Sequence, residues 1–161
     1  MVAEVFTRKR GTFAGSEEVL NLFRKLPNPP QVEALAEGES FEAKEVLMRI
    51  SGTYESFGLY ETVLLGMLAS STGWATAAKE CVEAAEGRSV LCFGARHVHP
   101  AIAPVMERAA KIAGCSAMSC ILAAVSYTHL DVYKRQAVGQ AGDKIKYDDY
   151  RTNIGRRSKM R

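Results

Sequence analysis

A chain of 161 residues, 47% of them apolar, is long enough for one ordinary domain with a real core. It has no run of about 18 apolar residues, and its start lacks the apolar core of a secretion signal, so we expect a cytoplasmic protein without a membrane partner. Residues 1–125 hold 12 basic and 14 acidic residues, whereas residues 126–161 hold 9 and 4, so the net charge of +3 arises entirely from the end of the chain.

The first half of the sequence predicts three strands and a helix. Alternating apolar residues indicate strands at about 2–6, 31–36 and 45–51, which we expect to form one antiparallel sheet. Ser16 is a candidate N-cap for a helix from Glu17 to about Lys25, which the following prolines end. On the last strand, Val46, Met48 and Ile50 alternate and are expected on its buried face.

Two helices are predicted next, over residues 56–68 and 74–85. The apolar face expected for the first comprises Leu59, Val63, Leu64 and Met67. Ser70-Ser71-Thr72-Gly73 between the helices is typical of a linker, although its amides and hydroxyls would also suit a phosphate-binding turn. We expect Trp74 in the core or at an interface, and Gly87 at the end of the second helix.

The pattern then changes to that of a parallel sheet. Residues 89–93 form a short, continuously apolar run, which is typical of a buried parallel strand. A polar turn follows, and Pro100 suits the first position of a helix that extends to about Ala113. Residues 116–122 are a candidate second parallel strand, which completes one βαβ unit. The four cysteines form no C-x-x-C pair, so we expect free thiols and no metal site.

Hydrophobic periodicity disappears after about Ala124. Residues 125–136 read Val-Ser-Tyr-Thr-His-Leu-Asp-Val-Tyr-Lys-Arg-Gln. DNA encoding this string resembles a transposon mosaic-end adapter used in sequencing libraries, joined head to head with its reverse complement. We therefore interpret residues 125–136 as an adapter-derived artefact and the chain as a metagenomic chimera. The polar segment 137–161 is expected to be unrelated or disordered, and its charge does not predict a nucleic-acid partner.

Three stretches before the break resemble the nicotinate phosphoribosyltransferase family. They are Gly52-Thr-Tyr-Glu-Ser-Phe-Gly-Leu-Tyr-Glu-Thr62, Ala69-Ser-Ser-Thr-Gly-Trp-Ala-Thr76 and Phe93-Gly-Ala-Arg-His-Val-His-Pro100. The similarity spans about residues 2–124. It implies an α/β fold class, in which residues 1–87 form most of an α+β N-terminal domain with a clipped front. Residues 88–124 would then be the first βαβ unit of a truncated type II phosphoribosyltransferase barrel.

The resemblance implies an enzyme of NAD biosynthesis. Such an enzyme joins nicotinate to phosphoribosyl pyrophosphate, giving nicotinate mononucleotide and pyrophosphate, and couples this to ATP hydrolysis with Mg²⁺. Family enzymes use a phosphorylated histidine, which we expect beyond Ala124 together with the catalytic residues. The parent enzyme is expected to be a homodimer or larger homo-oligomer, and the truncated chain is expected to be inactive.

The resemblance also nominates residues for substrate binding. Arg96 follows a predicted barrel strand, where such enzymes place their chemistry, and its guanidinium can hold a carboxylate or phosphate through two hydrogen bonds. His97 is a second polar contact. Tyr60 and Glu61 are candidates for reaching a neighbouring subunit's site. Related quinolinate enzymes typically carry Arg where this chain has Thr62, and Thr cannot neutralise a second carboxylate, which favours nicotinate.

Two alternatives stay open at this stage, and one more is set aside. The chain resembles quinolinate phosphoribosyltransferases enough for their activity to be the second candidate. A non-catalytic chimeric remnant, with an unpaired sheet edge that promotes association, is a third. The pair His97 and His99 also suits a metal-dependent hydrolase, but such sites need further ligands from later strands.

Overall fold

A computed structural model describes residues 1–120 of the chain. Its strands are β1 Val2–Phe6, β2 Gly11–Thr12, β3 Gln31–Ala34, β4 Ser40–Phe41, β5 Val46–Ser51, β6 Leu91–Cys92 and β7 Ala117–Met118. Its helices are α1 Ser16–Phe23, α2 Tyr54–Phe57, α3 Glu61–Ala84 and α4 Ala103–Ile112, with 3-10 turns at Gly58–Tyr60 and Gly94–His97. The adapter-like segment 125–136 and the tail 137–161 lie outside the described residues, so those interpretations stay predictions, as does the domain boundary after residue 87.

The predicted antiparallel sheet is confirmed, with β5 in the centre between β1 and β3. Arg49 of β5 lies opposite Glu4 on one neighbour and Glu33 on the other, and it pairs with both carboxylates on the exposed face. Met48 and Ile50 point to the opposite face and are fully buried there. This alternation gives the sheet one charged face and one face that packs on the core.

Three apolar side chains between positions 46 and 63 that were predicted to be buried are exposed. A β-bulge between Val5 and Phe6 shifts the pairing of β1 with β5, and Val46 is 37% exposed while its neighbour Leu47 is buried. Leu59 lies in the 3-10 turn before α3 and is 87% exposed. Val63 is 47% exposed, because the side of α3 that packs on the core carries Leu64 and Leu68 instead. The spacing of apolar residues predicted a helix here, but it wrongly included Leu59 and Val63 in the buried face.

The N-terminus of α1 is capped by a residue distant in sequence. The helix begins at Ser16, whose side chain makes no capping hydrogen bond, so the predicted Ser16 cap is wrong. The N-cap is Gly15, which has a φ of 100°, a value that favours glycine. The Glu37 carboxylate accepts the N–H groups of Gly15 at 2.8 Å and Glu17 at 3.4 Å, so it does the work of a cap from outside the helix.

Residues 61–84 form one continuous helix, so the predicted division into two helices is wrong. Ser70-Ser71-Thr72-Gly73 lies inside it and is neither a linker nor a phosphate-binding turn. Thr72 Oγ1 donates to the Ala14 carbonyl at 3.0 Å and accepts the Ala14 N–H at 3.4 Å. The small hydroxyl residues are therefore contact points at which the chain around Ala14 approaches the helix, and tertiary packing overrides their preference for turns.

The strands β6 and β7 pair in parallel, and α4 connects them, as the sequence predicted. Both strands are shorter than predicted, and the prediction that the first is buried is wrong, because Leu91 and Phe93 are 52% and 57% exposed. The helix begins at Ala103, so placing Pro100 at its first position is wrong. The N–H groups of Ile102 and Ala103 bond to the His99 carbonyl and close a separate turn before it. Pro104 lies in the first turn of α4, where its missing N–H leaves no helical hydrogen bond unmade.

Two core clusters hold these elements together. One consists of large side chains between the sheet, α1 and the first half of α3, including Phe13, Phe23 and Leu64. The other consists of alanines where α3 meets α4, with Trp74 packed beside it, which agrees with a core role for this residue. None of the helices within residues 1–120 is long and apolar enough to cross a bilayer.

Candidate functional site

A short turn presents Arg96 and His97 directly after β6. The 3-10 turn Gly94–His97 begins two residues beyond the end of β6, at the carboxyl edge of the parallel pair. Both side chains are exposed, so a carboxylate or phosphate can reach the guanidinium from solvent. The structure thus places Arg96 and His97 directly after β6, as the sequence predicted, and their role in binding stays a prediction.

The buried carboxylate of Glu107 underlies this turn. Glu107 lies on α4 and is 0% exposed. Its Oε1 accepts the Ala95 N–H at 3.2 Å and the Ser119 hydroxyl, and its Oε2 accepts the Cys120 N–H at 2.5 Å. One side chain therefore bonds to the segments that follow both β6 and β7. The sequence signal that was missed is a pair of charged residues, Glu107 and Arg108, within a helix whose other residues are mostly small or apolar.

His99 has a structural partner beside the same turn. Its Nδ1 accepts the N–H of Ala101 at 3.2 Å, which occupies one ring nitrogen in shaping the approach to α4. Within residues 1–120, no group of three or more His, Cys, Asp or Glu side chains is arranged to hold a metal ion.

The second group of predicted site residues lies at the N-terminus of α3. Glu61 and Thr62 are exposed, and Tyr60 lines a shallow cavity of about 240 Å³ together with the chain around Pro27. The alanine cluster that joins α3 to α4 begins at Ala75, fourteen residues along the helix from Glu61, or about 21 Å at 1.5 Å per residue. Tyr60, Glu61 and Thr62 therefore lie at the end of α3 that is distant from this alanine cluster.

A buried charge cluster that the sequence did not predict connects α1 to α4. Arg108 pairs with Glu37 at 2.7 Å. The charges of both residues also affect the pKa values of Glu17 and Glu18. Burial alone would raise the pKa of Glu37, but the charge and hydrogen bonds of Arg108, with the N–H groups of Gly15 and Glu17, lower it overall. Burial raises the pKa values of Glu17 and Glu18 above the ordinary value of 4.5.

All four cysteines are free thiols, as predicted. Cys115 is buried, which raises its thiol pKa, chiefly through desolvation. Cys81 is exposed on α3, and Cys92 and Cys120 are half-buried. A thiol whose pKa is raised carries little thiolate near neutral pH, so Cys115 is not a candidate nucleophile.

Residues 1–72 match the family model described as the quinolinate phosphoribosyl transferase N-terminal domain. Nicotinate phosphoribosyltransferase pncB1 of Mycobacterium tuberculosis is 33% identical over 96 residues, which make up 60% of this chain and 21% of that protein. The solved nicotinate-nucleotide pyrophosphorylase from Pyrococcus furiosus is similar with a TM-score of 0.70 and 43% identity, over 75% of this chain and 32% of that one. Human nicotinic acid phosphoribosyltransferase has a TM-score of 0.66 at 21% identity, over 76% and 32% of the two chains, a likeness of fold alone.

The chain thus spans about a third of the length of these two solved structures and about a fifth of the curated relative. The likeness confirms the predicted fold class, a mixed α/β fold of the kind found at the start of these phosphoribosyltransferases. The match to the quinolinate family model ends at residue 72, within α3, whereas the structural likeness covers 75% of the chain. Residues 1–72 therefore have the fold of a quinolinate phosphoribosyl transferase N-terminal domain.

Proposed function

We propose that residues 2–124 correspond to part of a phosphoribosyltransferase of NAD biosynthesis. Its full-length form would join nicotinate to phosphoribosyl pyrophosphate, giving nicotinate mononucleotide and pyrophosphate. The observation that carries the proposal is the exposed Arg96 turn at the carboxyl end of β6, in a chain whose relatives are named as enzymes of pyridine nucleotides. The 161-residue chain itself is proposed to be inactive, because the phosphorylated histidine and the ribose-phosphate loop are expected beyond Ala124.

Arg96 is proposed to bind the carboxylate of the pyridine ring. A planar guanidinium matches a carboxylate through two parallel hydrogen bonds, which fixes the orientation of the ring as well as its position. With the ring held in this way, its nitrogen can be aligned with C1 of the ribose, and alignment lowers the barrier to joining two substrates. His97 is proposed as a second polar contact beside Arg96.

Tyr60, Glu61 and Thr62 are proposed to serve the site of a neighbouring subunit. They lie about 21 Å along α3 from the place where this helix meets α4, so they are poorly placed to share a ligand with Arg96 of the same chain. Glu61 and Thr62 are exposed and Tyr60 is half-buried, so the group is accessible to a second copy. A homodimer or larger homo-oligomer of the full-length enzyme is the corresponding proposal.

ATP and Mg²⁺ are proposed for the full-length enzyme only, as is a cytoplasmic location. Residues 1–120 hold no cluster of three or more His, Cys, Asp or Glu side chains arranged around a metal ion, and no step assigned to Arg96 or His97 requires one. The groups that would bind both cofactors are expected beyond Ala124.

Quinolinate is the second candidate substrate, and the family model that matches residues 1–72 favours it. Quinolinate has one more carboxylate than nicotinate, and a second buried anion needs a cationic or strongly donating partner. Thr62 offers one hydroxyl and no charge, which favours the monocarboxylate. A non-catalytic remnant is the third candidate, for this 161-residue chain alone.

The proposal is tested by recovering a full-length gene that contains residues 2–124 and assaying its product with both acids. Formation of nicotinate mononucleotide from nicotinate and phosphoribosyl pyrophosphate, faster with ATP, is the expected result. Preference for quinolinate would transfer the proposal to the second candidate. Sequencing reads that cross the codons for residues 124–137 without the adapter-like DNA would support the chimera interpretation, whereas reads that always contain it would refute it.

A further inference from the structure

We propose that Glu107 is a positioning residue for Arg96, a role that rests on the proposed function of Arg96 in anion binding. The carboxylate of Glu107 bonds to the segments that follow β6 and β7, and it thereby fixes the turn that carries Arg96 at the edge of the parallel pair.

The location of Glu107 is unusual for a charged residue. Its side chain is completely buried on α4, and burying a carboxylate destabilises a fold unless hydrogen bonds replace its water. Three donors do so here: the Ala95 N–H, the Ser119 hydroxyl and the Cys120 N–H. Two of them are backbone groups that would otherwise lack a partner at the ends of short strands.

The three donors select a carboxylate over an amide. An ionised carboxylate only accepts hydrogen bonds, whereas an amide presents one oxygen and one NH₂ group. In Glu107→Gln, the NH₂ group would face either Cys120 N–H or the pair formed by Ala95 and Ser119, so one strand end would lose its bond in either orientation. The position therefore distinguishes two side chains of almost the same shape.

The Ala95 bond acts directly on Arg96, because the two residues share a peptide bond. A second contact holds the same turn: a Cβ at Gly94 would lie 2.5 Å from Met106 Cε, so the turn lies close against α4. Glu107 and Met106 are neighbours on α4 and support Ala95 and Gly94 respectively. Arg96 itself stays exposed, so the support fixes its backbone and leaves its guanidinium available to a ligand.

A purely structural role for Glu107 would affect the stability of the whole chain without altering the Arg96 turn selectively. The test therefore compares the full 161-residue chain with Glu107→Gln and Ser119→Ala by ¹H–¹⁵N NMR. In Glu107→Gln, the amide signals of residues 95–97 should move further than any signal of residues 1–51. Ser119→Ala removes a single donor and serves as the matched control, with smaller movement at residues 95–97.

If Glu107→Gln does not fold, hydrogen exchange in the wild-type chain still tests the proposal. The Ala95 amide should exchange with solvent as slowly as the hydrogen-bonded amides of β6 and β7, although it lies at the edge of an exposed turn. Exchange of Ala95 as fast as that of an exposed amide would overturn the proposal. So would a folded Glu107→Gln chain in which the signals of residues 95–97 are unchanged.

A titration with nicotinate separates this proposal from the proposed function. Movement of the Arg96 Nε signal in the wild-type chain, reduced at least about fivefold at equal concentration in Glu107→Gln, is the expected result for a misplaced guanidinium. If nicotinate binds both chains equally, Glu107 does not position Arg96. If the wild-type Arg96 signal does not respond, the binding role of Arg96 in this chain is wrong, while the amide signals still decide whether Glu107 fixes the turn.

Discussion

Arg108 and Glu37 form a bidentate ion pair, with Nη2 2.7 Å from Oε2 and Nη1 3.3 Å from Oε1. The two side chains are only 7% and 11% exposed. Because Glu37 also accepts the N–H groups of Gly15 and Glu17, the pair connects the middle of α4 to the N-terminus of α1. The helix that carries Glu107 is thereby attached to the N-terminal part of the chain through the adjacent residue, Arg108. The side chain of Arg108 pairs with Glu37, whereas that of Glu107 bonds to the segments that follow β6 and β7.

Removing one partner of this pair should destabilise the fold strongly. Glu37→Ala would leave the Arg108 charge buried and two backbone N–H groups unpaired, so we expect a loss of about 3–5 kcal/mol in the free energy of unfolding. Urea denaturation followed by circular dichroism measures it. Glu33→Ala is the control, because Glu33 is an exposed partner of Arg49 and should cost about 1 kcal/mol or less. Equal losses in both variants would contradict the importance of the buried pair.

The stability of the charge cluster should depend on pH in two opposing ways. The pKa of Glu37 is lowered, so its contribution is complete above the ordinary value of 4.5 and is lost as the pH falls through the lower folded value. The pKa of Glu17 is raised, mainly by burial, so its contribution is present below 4.5 and is lost as the pH rises through the folded value.

Two variants separate these contributions in thermal melts between pH 3 and pH 7. Glu37→Gln should destabilise the chain most near neutral pH and progressively less as the solution becomes acidic. Glu17→Gln should become more favourable, relative to the wild type, as the pH rises. Parallel curves for the two variants would show that the opposite shifts assigned to these carboxylates are wrong.

The fold was predictable where local patterns and tertiary packing agree. The alternation of β1 and β5 identified real strands, because side-chain burial largely alternates there. The apolar run of residues 89–93 identified β6 but not its burial, since Leu91 and Phe93 are exposed. Ser71 and Thr72 led to the wrong prediction of a linker between two helices. Their preference for turns is outweighed by the bonds of Thr72 with Ala14 and by the burial of both residues within α3. The prediction of Ser16 as the N-cap of α1 was wrong for a related reason. The carboxylate of Glu37 accepts the N–H groups at this helix end, and no local sequence pattern relates positions 16 and 37.

The candidate site also contains residues that could be predicted from the sequence and one that could not. The position of Arg96 and His97 directly after β6 was predictable, because a polar turn follows an apolar run there and the family resemblance nominated both residues, while their role in binding stays a prediction. Glu107 was not, because a glutamate within a helix is ordinarily solvated, and nothing in the sequence indicates that its donors come from the ends of two strands. Only the packing of α4 against β6 and β7 makes the carboxylate identifiable.

Two glycines should respond in opposite directions to substitution by alanine. Gly15 has a φ of 100°, and an added Cβ would lie 3.0 Å from Ser71 Cβ and 3.1 Å from the Met67 carbonyl oxygen, so Gly15→Ala should cost about 1–3 kcal/mol. Gly66 lies within α3 with nothing inside 4 Å of an added Cβ, so Gly66→Ala should stabilise by about 0.5–1 kcal/mol. Urea denaturation of the two variants tests both signs, and destabilisation by Gly66→Ala would argue against a continuous α3.

The proposed role of Arg96 predicts how a full-length enzyme containing residues 2–124 should respond to substitution. Arg96→Ala should lower kcat/KM for nicotinate by about 30-fold to several thousand-fold, the equivalent of about 2–5 kcal/mol for a lost charge-assisted pair. Arg96→Lys should recover only part, because an ammonium group lacks the planar fork. Arg88→Ala is the matched control, since this exposed arginine lies before β6 and outside the proposed site.

Thr62→Arg tests whether position 62 selects between nicotinate and quinolinate. It should not improve the use of nicotinate, and it should admit some quinolinate, because the new cation can neutralise the second carboxylate. Steady-state assays with both acids on the wild type, Arg96→Ala and Thr62→Arg measure these effects together. Full activity of Arg96→Ala would remove this residue from the site. Loss of nicotinate activity in Thr62→Arg without any gain in quinolinate use would show that position 62 does not select between the two acids.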